Sequence, residues 1–118
     1  MSYKAYDNKE LGFTTRQLHA GYNPEDHYRS KAVPIYQTAV FELGDYERCL
    51  RLFEYAEEGH SYVRFSNPTN DVLEKRLASL EGGAAAVSFG SGMAAISSTL
   101  LNLAHEGDEI VAVQTLYG

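Results

Sequence analysis

A chain of 118 residues is long enough for one small domain and short for a two-domain enzyme. Ten Lys and Arg against 16 Asp and Glu leave a net charge of −6 (10 − 16), which argues against nucleic acid or an anionic membrane as the main partner, since both call for surplus basic residues. Cys49 is the only cysteine, so an intrachain disulfide and a Cys-based zinc site are excluded, and the four His share no metal-ligand spacing. The start is polar, and no apolar run approaches the roughly 20 residues a membrane span requires. A soluble, cytoplasmic protein is the expectation.

In chain order, residues 1–33 read as a polar, turn-rich arm punctuated by Gly12, Gly21, Asn23-Pro24 and Pro34, with no sustained helical or strand period. A short apolar piece over 35–41 follows and can be extended. Asp45 offers an N-cap, and Tyr46, Leu50 and Phe53 recur at helical spacing, so a helix is expected over about 45–56. Residues 60–70 are irregular and broken by Asn67-Pro68. From Asp71 a second helix is expected, with Leu73, Leu77 and Leu80 on one face and Gly82-Gly83 as its stop.

The last third changes period. Residues 84–89 form a nearly continuous apolar run, as in a strand buried on both faces. Gly90-Ser91-Gly92 interrupts it, Met93 to Ala104 reads as a helix with Ile96, Leu100 and Leu103 on one side, and 109–114 as a second strand. The pattern is a β-α-β unit, with parallel strands and a right-handed crossover expected.

A strand that passes through Gly-Ser-Gly into a helix leaves the first helical N–H groups without intrahelical acceptors, and the helix dipole adds partial positive charge there. Small residues let a phosphate approach the backbone, and the Ser91 hydroxyl can add a hydrogen bond. A plain tight turn explains the same residues. Gly90, Gly92 and Ala95 also fit the dinucleotide pattern G-x-G-x-x-A, but the acidic residue that pattern needs belongs at the end of the second strand. Asp108 and Glu109 stand at its opposite end, and Gln114-Thr115-Leu116-Tyr117 occupies the required place. A cofactor with one phosphate and a flat ring fits better, with Tyr117 either as a stacking surface or as a core aromatic. Arg64, beside Tyr62 in the irregular segment, is a further phosphate ligand or a solvated surface Arg.

Five motifs then carry a resemblance: Val33-Pro34-Ile35-Tyr36-Gln37-Thr38, Tyr62-x-Arg64-x-x-Asn67-Pro68-Thr69, Leu80-Glu81-Gly82-Gly83, Ser91-Gly92-Met93-Ala94-Ala95-Ile96 and Leu116-Tyr117-Gly118. Together, in this order, they resemble the Cys/Met-metabolism family of pyridoxal 5'-phosphate (PLP) enzymes from about Thr14 onward. That family includes O-acetylhomoserine sulfhydrylase, cystathionine γ-synthase, cystathionine γ-lyase and methionine γ-lyase. The run Asn67 to Arg76 and the opening Leu18-His19-Ala20-Gly21 look most like the sulfhydrylases.

The resemblance implies an α/β, type I (aspartate-aminotransferase-like) fold, with residues 1–60 as an N-terminal arm and helix for subunit contacts and 61–118 as the beginning of the PLP-binding large domain. It implies that Ser91, Gly92 and Met93 bind the PLP phosphate and that Tyr117 stacks on the pyridine ring and assists proton transfer. Tyr62 and Arg64 match a pair that reaches a neighbouring subunit's phosphate. A homo-oligomer, a dimer of dimers with shared active sites, is implied, as is a γ-replacement on an amino-acid substrate with sulfide or a thiol. The lysine that carries PLP and the Asp that holds its ring nitrogen are not matched by Lys4, Lys9, Lys31, Lys75 or any acid here. The expectation is therefore an N-terminal fragment, inactive alone. A fragment acting only in assembly is the alternative of another class.

Overall fold

The computed structural model describes residues 11–117, which divide into two compact units, one running to Val87 and the other starting at Ser88. Residues 1–10 of the expected arm, including Lys4 and Lys9, and Gly118 of the last motif lie outside the described residues.

In the first unit the arm is more ordered than its turn residues suggest. Phe13–His19 forms helix α1 and Pro24–His27 a 3₁₀ turn capped by Asn23. Helix α1 packs on the later helix α3, Pro68–Glu81. Two arginines fix the contact through backbone carbonyls: an Arg16 terminal N–H donates to the Ser79 carbonyl, and Arg76 Nε donates to the Ala20 carbonyl at 2.9 Å. Ala20 is fully buried at this junction and Val72 nearly so. Gly21 follows with φ +75°, and a Cβ there would lie 2.8 Å from both Lys75 Cβ and the Val72 carbonyl oxygen. Only glycine meets both demands. The arm's absence of a helix is thus corrected. A seven-residue helix cannot stand on propensity alone, and its stability comes from α3, which a local reading does not include.

Helix α2, Tyr46–Phe53, starts where Asp45 accepts the Arg48 N–H at 2.8 Å. The residue it buries is Leu52, whereas the expected stripe of Tyr46, Leu50 and Phe53 is exposed. Helix α3 starts three residues before the expected Asp71. Asn67 caps it by accepting the Thr69 N–H at 2.9 Å, and Pro68 occupies the first turn, where a missing N–H costs nothing. Gly82, at φ 69°, ends it as expected.

Asn67 and Thr69 also hold the extended segment before α2. Asn67 Nδ2 donates to the Tyr36 carbonyl, the Tyr36 N–H donates to Thr69 Oγ1, and Thr69 Oγ1 donates to the Pro34 carbonyl, each at 2.9 Å. Tyr36 Oη then meets His27 Nδ1 at 2.9 Å, and Tyr22 stacks on the same imidazole with centroids 5.1 Å apart. Beyond this clamp, Val40 and Tyr62 form an antiparallel bridge, with Phe41 N–H to the Ser61 carbonyl and Val63 N–H to the Ala39 carbonyl.

The second unit contains helix α4, Gly92–Leu103, one residue ahead of the expected start and end. The two expected strands need correction. Neither 84–89 nor 109–114 joins a ladder, and the Val40–Tyr62 bridge is the β pairing recorded among the described residues. Val87 is 71 % exposed and Val111 fully so. A parallel strand exists only through its neighbours' hydrogen bonds, and segments consecutive in sequence need not be neighbours in a sheet. The apolar run signals a demand for cover that the described residues do not meet. Ile96, Leu100 and Leu103 on α4 are exposed in the same way.

Candidate functional site

The site begins with what the first turn of α4 leaves unpaired. Ser91 is the N-cap, with φ −155° and ψ 156°, and its hydroxyl oxygen accepts the Ala94 N–H at 3.1 Å. The Ala95 N–H is satisfied by the Ser91 carbonyl. The N–H groups of Gly92 and Met93 have no acceptor among the described residues, as the first positions of a helix require. The Ser91 hydroxyl retains its own proton to donate. No atom lies within 4 Å of where a Cβ would stand on Gly90 or Gly92, and neither has a positive φ. The glycines are therefore not needed for backbone conformation. What they provide is room.

In the first unit, Tyr62 occupies the bridge with Val40, and Val63 to Phe65 form a turn closed by Phe65 N–H and Ser66 N–H on the Tyr62 carbonyl, at 2.9 and 3.2 Å. The Arg64 guanidinium lies over the Tyr62 ring, 5.4 Å from its centroid, and Phe65 meets that ring edge-on. The Arg64 side chain makes no ion pair or hydrogen bond among the described residues, so its fork is free for an anion. The flank of the segment is anchored by His60, whose Nδ1 is 2.8 Å from Ser66 Oγ and whose Nε2 is 3.8 Å from Asp71 Oδ2. A cavity of about 1260 Å³ in this unit is lined by Tyr22, His27, Tyr36, Phe41 and His60 but takes in neither Tyr62 nor Arg64. Tyr117, in the second unit, is 89 % exposed with no aromatic contact among the described residues. Lys75, the last lysine in the chain, lies on α3 beside Asp71 at 3.8 Å.

The family model for Cys/Met metabolism PLP-dependent enzymes matches residues 14–118. The chain belongs to that family. It is 49 % identical over 94 % of its length to the L-methionine gamma-lyase of Pseudomonas putida, covering 28 % of that protein. It is 51 % identical over 92 % of its length to O-acetyl-L-homoserine sulfhydrylase 1 of Thermus thermophilus, covering 26 %. Among solved structures, the O-acetylhomoserine (thiol)-lyase of Campylobacter jejuni, which holds N'-pyridoxyl-lysine-5'-monophosphate, matches with a TM-score of 0.77 and 43 % identity over 84 % of this chain and 24 % of its own. The protein metB of Corynebacterium glutamicum matches at 0.71 and 35 %. The chain thus spans about a quarter of the length of its relatives, and it carries the N-terminal part of the PLP-dependent type I fold.

PLP fits the residues present. Two unpaired amides, a hydroxyl with a proton to give and two side-chain-free positions suit one phosphate group. The roles of Asn67 and Thr69 are what the sequence reading missed. The motif Asn-Pro-Thr was visible, but as a break in the chain. The usable signal was an Asn before a Pro at the start of an apolar-periodic run, which is an N-cap followed by a first-turn proline.

Proposed function

We propose that the protein acts in a PLP-dependent γ-replacement, converting O-acetylhomoserine and sulfide, or a thiol, to homocysteine, or methionine, and acetate. The C–O bond at the γ-carbon breaks and a C–S bond forms there. PLP, when bound, supplies the electron sink for this substitution. The observation that carries the reading is the open first turn of α4, where the Gly92 and Met93 N–H groups and the Ser91 hydroxyl are free to hold a phosphate. Tyr117 is the residue for ring stacking and proton transfer, and its exposed ring is available for both.

Tyr62 and Arg64 reach a second subunit's phosphate, in a homo-oligomer built as a dimer of dimers. Residues 1–60 serve subunit contacts and 61–118 open the PLP-binding domain. The free guanidinium held against the Tyr62 ring supports this assignment. Sulfhydrylase relatives at about half identity support replacement over elimination.

A γ-lyase is the second reading, favoured by the Pseudomonas putida relative. The test is product analysis on the full-length, PLP-loaded protein given O-acetylhomoserine with sulfide. Homocysteine and acetate in equal amounts are the expected outcome. Acetate accompanied by 2-oxobutyrate and ammonia, without homocysteine, overturns replacement in favour of elimination.

A further inference from the structure

We propose that Thr69, together with Asn67, is a positioning residue that sets Tyr62 and Arg64 for phosphate binding by closing a ring of backbone that runs through them. The inference rests on the phosphate role proposed above for that pair.

The ring can be followed atom by atom. From Tyr36 the chain runs to 39–41, which pairs with 61–63 through the Phe41–Ser61 and Val63–Ala39 hydrogen bonds, both at 2.9 Å. From Tyr62 the turn 63–66, closed onto the Tyr62 carbonyl, delivers the chain to Asn67. Asn67 and Thr69 then bond back to Tyr36 and Pro34, closing the circuit with three side-chain hydrogen bonds of 2.9 Å. Tyr62 and Arg64 are links of this circuit, one in the bridge and one in the turn.

Neither functional side chain is held by a polar contact of its own among the described residues, so the backbone must hold them. A two-bond β bridge is a weak restraint by itself. The clasp is better protected, because Asn67 is only 3 % exposed and water competes little for its bonds. Thr69 is the informative member. Its hydroxyl serves only the clasp, whereas its backbone N–H serves the helix cap through Asn67.

Thr69→Val therefore removes two of the clasp's three hydrogen bonds and leaves the cap of α3. In the full-length protein, we expect this variant to bind PLP about tenfold more weakly while binding pyridoxal, which lacks the phosphate, as the parent does. Thr69→Ser restores PLP affinity. In an Arg64→Ala background, Thr69→Val has a smaller further effect, because one of the two residues it positions is gone.

Equal weakening of PLP and pyridoxal, or a full additional loss in the Arg64→Ala background, would reduce Thr69 to a structural role and overturn the inference. If Arg64→Ala weakens PLP and Thr69→Val does not, the inference fails alone. If Arg64→Ala leaves PLP affinity unchanged, the phosphate role fails and takes the inference with it. Should Thr69→Val not fold, Thr69→Ala carries the same measurements.

Discussion

Gly21 and Gly92 stand in the two units, and they are glycine for opposite reasons. Gly21 has a positive φ and no space, since a Cβ would press on Lys75, Val72 and Arg76 of α3. Gly92 has an ordinary φ and open space, with no atom within 4 Å of its would-be Cβ. The contrast extends to their surroundings. The first unit spends its polar side chains on its own backbone: Arg16 on Ser79, Arg76 on Ala20, and Asn67 and Thr69 on Pro34 and Tyr36. In the second, the amides that open α4 and the apolar rows on 109–114 are without partners among the described residues. One glycine secures a fold, and the other leaves open space at the first turn of a helix.

The largest effect should come from breaking the first half of that contrast. Gly21→Ala places a methyl against backbone atoms at 2.8–2.9 Å in a left-handed conformation. A cost of about 3 kcal/mol is expected, the sum of backbone strain and overpacking. Denaturant unfolding of the full-length protein measures it. A loss below about 0.5 kcal/mol would mean that α1 and α3 are not packed as described.

The same contrast explains what could be read from the residues alone. Helix α2 was legible because Asp45 caps it locally, and the end of α3 because Gly82 is a left-handed C-cap. The open turn before α4 was legible for a similar reason: an N-cap serine between two glycines is a local arrangement of backbone donors. Helix α1 was hidden because its support lies on α3, about 60 residues away, and no local period reports that. Pro68 was misread as a break because proline both ends helices and begins them, and only the capping Asn67 decides between the two. The apolar rows of α2, α3 and α4 were visible, yet Leu52 and Val72 are the buried positions on α2 and α3, while α4 has none. A stripe records which face seeks cover. Which face receives it depends on the partner.

The second half of the contrast is sharpened by Gly92→Ala. A methyl there meets no protein atom and suits a helix, so stability should stay within about 0.5 kcal/mol of the parent. If the first turn holds the phosphate as proposed, the methyl stands in its way, and PLP affinity should fall about tenfold. Titration with PLP, alongside a melt of the PLP-free protein, separates the two outcomes. Unchanged affinity would remove α4's first turn from the cofactor site.

The smallest expected effect is electrostatic and belongs to the first unit. Glu57 Oε1 accepts from Arg48 Nε at 2.9 Å and its Oε2 from Arg51 Nε at 3.0 Å. The Arg51 hydrogen bond is the largest influence; desolvation opposes it, and the Arg48 hydrogen bond and the charges of both arginines reinforce it, so the carboxyl lies below the ordinary value of 4.5. A carboxylate with a lowered folded-state pKa binds protons more readily when unfolded, so its contribution is present in full above about pH 4.5 and fades as pH falls through the folded value. The pair of arginines is partly solvated, so the contribution is modest and screened by salt. Comparing melting temperatures of the parent and Glu57→Gln from pH 7 down to pH 3 tests this directly. The difference should be greatest at neutral pH and low salt and should close on the acid side. A difference that grows on acidification would show that Glu57 is protonated in the folded protein, and the two-arginine clasp on α2 would have to be abandoned.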